Sequence, residues 1–103
     1  MKKIIGGKIY NTETADLVAD ENNDLHNFYS TTESLFRTKK GAWFLHGKSS
    51  AGGQYGKSAG NMCIGGQDII RMTEKEVLDW ASTASISDEE TETIANLLTA
   101  EEA

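Results

Sequence analysis

Ala51-Gly52-Gly53-Gln54-Tyr55-Gly56-Lys57-Ser58 fits a relaxed phosphate-loop pattern, with alanine where the first glycine belongs. A phosphate loop works by joining a parallel strand to a helix whose first backbone N–H groups cradle the phosphates. Here Ala59-Gly60-Asn61-Met62 follows, a poor helix opening, and no later apolar strand ends in an aspartate suited to hold magnesium. The stretch therefore reads as a glycine-rich surface loop. His26 and His46 are the only imidazoles and Cys63 the only thiol, too few for a zinc site. No orienting carboxylate can be placed beside them to make a nucleophile–base pair. His46, next to Leu45 on a strand flank, reads as a hydrogen-bonded sheet histidine, and Cys63 as a small buried hydrophobe. The chain is expected to be no enzyme, with no catalytic residue, metal or cofactor.

Two further groups of side chains suit binding rather than reaction. Arg37, Lys39, Lys40, Trp43, Phe44, Lys48 and Tyr55 set cations and aromatics near one predicted hairpin. Aromatic rings beside cations stack bases and grip phosphates on single strands. Alternation along a strand, however, puts one of Trp43 and Phe44 into the core, and lysines ordinarily form a solvated rim. The other group is acidic: Glu76, Asp79, Asp88, Glu89 and Glu92, with Glu74, Glu90, Glu101 and Glu102 beside them. Residues 1–72 hold 9 basic and 7 acidic side chains, a count of +2, and residues 73–103 hold those 9 acids against Lys75, a count of -8. Together they return the formal charge of -6. Such carboxylates either solvate two amphipathic helices or face a basic surface on a partner protein.

The net charge disfavours non-specific binding to duplex nucleic acid. At 103 residues the chain suits a single domain, 1–103, with one small core drawn from its 38% hydrophobic content. No apolar run approaches the roughly 18 residues that would span a bilayer. Met1-Lys2-Lys3-Ile4-Ile5-Gly6-Gly7 has charge but no apolar core, so no signal peptide is expected.

The elements that must carry these groups can be read in order. Lys3-Ile4-Ile5-Gly6-Gly7-Lys8-Ile9-Tyr10 predicts a hairpin, because a two-residue turn needs positive φ at both positions. Thr12 offers an N-cap to a short helix from Glu13 to about Ala19, with Ala15, Leu17 and Val18 facing inward. A β-rich stretch from about Asn27 to Arg37 follows, and Leu35 to Gly47 predicts an antiparallel hairpin turning at Thr38-Lys39-Lys40-Gly41. Gly47 to Gly66 reads as a long glycine-rich loop, and Gln67 to Met72 as a strand. Thr73-Glu74-Lys75-Glu76 is a capping box with Met72 and Val77 as its hydrophobic staple. Val77, Trp80, Ala81 and Ala84 define that helix's buried stripe. Ser87-Asp88-Glu89-Glu90 is a second capping box, opening a helix whose apolar face is Ile94, Leu97 and Leu98. The resulting expectation is an α+β fold. It has an antiparallel sheet of four to five short strands with two to three helices packed on one face. Residues 1–72 would be mainly β hairpins with one short helix and a Gly-rich loop, and 73–103 an acidic helical segment. Ile4, Ile5, Ile9, Leu35, Phe44, Leu45, Ile69 and Ile70 would bury against Leu17, Val77, Trp80, Ala81, Ile94 and Leu97.

Gly6 to Ala15, Glu33 to Gly41, Ala42-Trp43-Phe44-Leu45-His46-Gly47, Tyr55, Gly60-Asn61, Gly65-Gly66 and Ile70-Arg71-Met72-Thr73 through Trp80-Ala81 form, in that order, a recurrent pattern. Over roughly residues 3–84 it resembles a family of small proteins encoded by phages and mobile elements of bacteria, with members described as anti-CRISPR proteins. The resemblance implies a stoichiometric inhibitor working in the cytoplasm of a bacterial host. Its partner would be a CRISPR effector, Cas9 or a type I surveillance complex, and the acidic helices after Thr73, where the family varies, would choose it. On this reading Glu76, Asp79, Asp88, Glu89 and Glu92 act as phosphate stand-ins in a basic channel. The alternative is a small nucleic-acid-binding accessory module using Arg37, Lys39, Lys40, Trp43 and Tyr55.

Overall fold

Lys2–Ile5 (β1) and Lys8–Asn11 (β2) form the hairpin that Gly6-Gly7 predicts, the two glycines standing at φ 58° and 78°. In the computed structural model, which describes residues 1–21, 31–51, 55–59 and 62–99, this hairpin lies against a four-stranded antiparallel sheet. That sheet runs Asp16–Glu21 (β3), Thr31–Arg37 (β4), Trp43–Ser49 (β5) and Gly66–Met72 (β8), in the order β3-β4-β5-β8. Lys57–Ala59 (β6) and Met62–Ile64 (β7) make a second small hairpin, and Glu74–Thr83 (α1) and Asp88–Leu97 (α2) complete the α+β fold.

The helix expected from Glu13 to Ala19 is instead a turn leading into β3. Ala15 N–H bonds the Asn11 carbonyl and Asn11 Oδ1 takes the Glu13 N–H, but the turn does not propagate. Leu17 pairs with Phe36 and Ala19 with Leu35, with the register shifting at Val18. Cross-strand pairing with an apolar neighbour outweighs one capping hydroxyl on so short a segment. The predicted Leu35–Gly47 hairpin is present and longer, running from Thr31↔Ser49 to Arg37↔Trp43. Residues 27–30, expected to begin that strand, lie outside the described residues.

β5 is covered on both sides. Trp43 and Leu45 join Ala19, Leu35, Val77 and Ile94 in a core under the two helices. Phe44 joins Tyr10 and Ile69 in a second core under the β1–β2 hairpin, stacked on Phe36 and met edge-on by Tyr10. Trp43 and Phe44 are therefore both buried, where only one was expected to be. Doubling the cover also changes who lies outside. Ile4 and Ile9, a cross-strand pair on the hairpin's outer face, are 71% and 65% exposed. Leu17, Ile70 and Leu97 are also exposed, and Leu98 rather than Leu97 packs beneath α2.

Gly47 to Gly66 is not one loop, since β5 continues to Ser49 and β6–β7 pairs within it. Tyr55 closes the segment onto the sheet. Its N–H bonds Ser49 Oγ at 2.8 Å, its hydroxyl donates to Glu33 Oε2 at 2.7 Å, and its ring lies over Gly47 where any Cβ would collide with it. Gly47→Ala should therefore lose roughly 1–3 kcal/mol in urea unfolding, as overpacking does. In a Tyr55→Ala background the same substitution should cost far less, and equal costs in both backgrounds would contradict the ring-over-glycine contact.

Candidate interaction surface

Both acidic helices begin as their sequences predict. Thr73 Oγ1 accepts from Glu76 N–H at 3.2 Å while Glu76 Oε1 accepts from Thr73 N–H at 3.0 Å. Ser87 and Glu90 repeat the exchange at 3.1 Å in each direction. Glu90 does more than cap: its other oxygen accepts the Asp20 main-chain N–H at 2.7 Å, tying α2 to the outer edge of β3. Donated hydrogen bonds hold both carboxyls below the usual range. For Glu76 the Thr73 N–H is the main cause and its hydroxyl the second. For Glu90 the Ser87 N–H leads, followed by Asp20 N–H.

The remaining predicted partner-binding residues, Asp79, Asp88, Glu89 and Glu92, are exposed along the helices, as is Glu76. Inward-facing Val77 and Ile94 are buried, and Trp80, Ala81, Ile86 and Leu98 pack against the same core. Among the described residues the ion pairs are Lys3–Asp68 and Lys39–Asp16, and neither involves the acidic helices. No described lysine of the sheet therefore forms an ion pair with a described carboxylate of the helices.

The basic–aromatic group is dispersed. Trp43 is 4% and Tyr55 8% exposed, so neither ring has a face left for a base. Arg37 is drawn over the Trp43 ring at 5.7 Å, and Lys39 pairs with Asp16 at 2.6 Å, leaving Lys40 exposed on the turn. His46 Nε2 meets Gln67 Oε1 at 2.8 Å, the sheet-histidine arrangement expected of it. His26 lies outside the described residues, and of the predicted phosphate loop Gly52-Gly53-Gln54 do too. Lys57 and Ser58 stand in β6, with a strand rather than a helix behind them.

Glu33 was not anticipated. It lies two residues before Leu35 on β4, so strand alternation aims it at the helix-covered core. Trp80 Nε1 donates to its Oε1 at 3.2 Å and Tyr55 to its Oε2, joining β4, α1 and the glycine-rich segment through one carboxylate. Burial is the first cause, and the hydrogen bond to Glu33 the second, that raises the Tyr55 hydroxyl above its ordinary pKa. A carboxylate at an inward strand position is a signal for such partners.

A groove of about 610 Å³ opens where β2, the β4–β5 turn and the start of α1 meet. Its ionisable lining is Tyr10, Arg71, Glu74 and Glu76, with Glu76 already bound to its cap. Among the described residues no group of three His, Cys, Asp or Glu is placed to hold a metal ion. No described helix is long and apolar enough to cross a membrane. No family model, curated protein or solved structure matches the chain.

Because Glu76 and Glu90 have depressed pKa values when folded, their stabilisation is present above the ordinary carboxylate range and is lost as pH falls through the folded values. Thermal unfolding should accordingly shift downward on acidification through that window. Glu90→Ala should flatten the pH dependence and cost about 1–2 kcal/mol, since it strands both a helix N–H and the Asp20 N–H. Glu76→Ala should cost less, its carboxylate serving one cap alone.

Proposed function

We propose that the chain is a non-enzymatic binding protein that sets its acidic helical surface into a cationic groove of a larger nucleic-acid-handling machine and blocks it stoichiometrically. The observation that supports this is a surplus of charge that the fold does not use. First-turn acids favour the positive end of a helix dipole, which accounts for Glu74, Asp88 and Glu89 without any partner. That account does not reach Asp79 and Glu92, which stand beyond the first turn, make no ion pair with a described residue, and are offset by no basic residue in either last turn. Repelling carboxylates on one small surface cost stability through self-repulsion in a chain that has no use for them, but they raise association rate and specificity toward a basic channel.

The partner class follows from the resemblance over residues 3–84 to proteins that include anti-CRISPR inhibitors. CRISPR effectors hold guide and target strands in positively charged channels, which an array of carboxylates can occupy in place of phosphates. Asp79, Asp88, Glu89 and Glu92 would carry the contact, and Glu76 would both cap α1 and contribute charge. Direct nucleic-acid binding through Arg37, Lys39 and Lys40 is the weaker reading, because the stacking it needs from Trp43 and Tyr55 has gone into packing.

The test is inhibition of target cleavage by purified guide-loaded Cas9 and by a type I surveillance complex, with binding measured in parallel. Wild-type protein should inhibit one of them at a one-to-one ratio. Asp79→Lys with Glu92→Lys leaves both capping boxes intact, so it should keep the melting temperature within a few degrees while weakening binding about tenfold or more at physiological salt. Inhibition that survives the double reversal would exclude the electrostatic mechanism, and no binding to either effector would exclude the partner class.

A further inference from the structure

We infer that β8 is a latent dimerisation edge, which the Lys3–Asp68 pair holds closed and which a second copy of this chain extends by adding its own β8 antiparallel across a two-fold axis at Ile69. The four-stranded sheet ends in two edges, and they are guarded differently. On β3 the Asp20 N–H is taken by Glu90, and α2 lies alongside. On β8 the guard is the Lys3–Asp68 side-chain pair, with β1 lying alongside. The Ile69 N–H bonds Asp68 Oδ1 at 2.8 Å, and Lys3 Nζ reaches from β1 to Asp68 Oδ1 at 2.7 Å and to the Ile69 carbonyl at 3.5 Å. Ile69 therefore aims its main-chain groups away from β5.

Residues in an antiparallel ladder alternate in this respect, so Gln67 and Arg71 aim theirs the same way. A strand presenting outward amides at three alternate positions is a template for another strand. Among the described residues the middle position is the one whose main-chain groups take side-chain partners, through an ion pair whose side chains are 41% and 46% exposed. Such a pair is weak and is screened by salt.

The occupant follows from the register. Centring two copies of Gly66–Met72 on Ile69 sets Gln67 opposite Arg71, Asp68 opposite Ile70 and Ile69 opposite itself. All seven residues then pair, and about six main-chain hydrogen bonds form without like charges opposed. Moving the centre to Asp68 would place two aspartates face to face, and moving it to Arg71 would oppose two arginines and shorten the overlap. The pairing also covers Ile70, which is 37% exposed in the single chain. The acidic helices are not needed for it, so it stands apart from the function proposed above.

Sedimentation velocity across the micromolar to millimolar range tests it. Lys3→Ala and Asp68→Asn, each with the far-ultraviolet circular dichroism of the parent, should both tighten the dimer about tenfold or more. Added salt should move the parent in the same direction by screening the guard. Gln67→Pro removes an N–H that faces away from β5, along with the side chain's His46 contact, and, with the circular dichroism of the parent retained, should return either variant to monomer. Folded Lys3→Ala and Asp68→Asn proteins that remain monomeric would overturn the proposal. So would a dimer indifferent to Gln67→Pro, which would have to use another surface.

Discussion

Burial of β5 on both faces is the constraint from which the rest of the structure follows. A strand carrying Trp43 and Leu45 on one side and Phe44 on the other cannot leave either side to water, so the sheet needs two covers. The chain supplies them from its two ends. The β1–β2 hairpin, built from the first eleven residues, shelters Phe44, and the helices after Thr73 shelter Trp43 and Leu45. Each cover meets the sheet with one face. The outer face of each is therefore free to vary without cost to the core, and there the molecule differs most from side to side. Lys2 and Lys8 stand on the hairpin with no acid in that segment, while the helices present carboxylates with Lys75 alone among them.

Carboxylates nonetheless have structural work as well as a surface role, and the two can be separated by what they touch. Glu76, Glu90 and Asp68 each accept a main-chain N–H, and Glu90 accepts two, one at a helix start and one at a sheet edge. Glu33 accepts from a phenol and an indole and so fastens helix and loop to the sheet. Each of these gives an N–H or O–H donor a protein acceptor in place of water. Asp79 and Glu92 accept no such bond through their carboxylates from any described residue.

What could be read from the sequence was whatever is decided within a few residues. The Gly6-Gly7 turn and the two capping boxes depend on contacts three residues apart or fewer, and each is present as expected. The antiparallel hairpin from Leu35 to Gly47 was visible in the same way, through two apolar runs about a short turn. Thr12 misled because a cap is a local preference, whereas the fate of Leu17 and Ala19 was decided by Phe36 and Leu35 across the sheet. Burial of Ile4 and Ile9 was misjudged for a related reason: a hairpin has two faces, and its own residues do not say which one meets the sheet. The acidic surface was legible as a composition, but that no described lysine of the sheet forms an ion pair with it required the fold.

Tyr55 shows how the most irregular part of the chain is nevertheless specified. Glycines in a polar stretch ordinarily signal a loop that nothing holds, yet Gly47 lies inside a central strand, where the absence of a side chain weakens pairing. The gap it leaves is filled from outside the strand by the Tyr55 ring, whose hydroxyl then finds Glu33 on the neighbouring strand. A vacancy in β5, an aromatic eight residues later and an inward carboxylate on β4 are thus one device. Because its three parts come from separate elements, it closes only when β4, β5 and the glycine-rich segment are all in register. It therefore couples the position of Tyr55 to the same double-faced strand on which both cores depend.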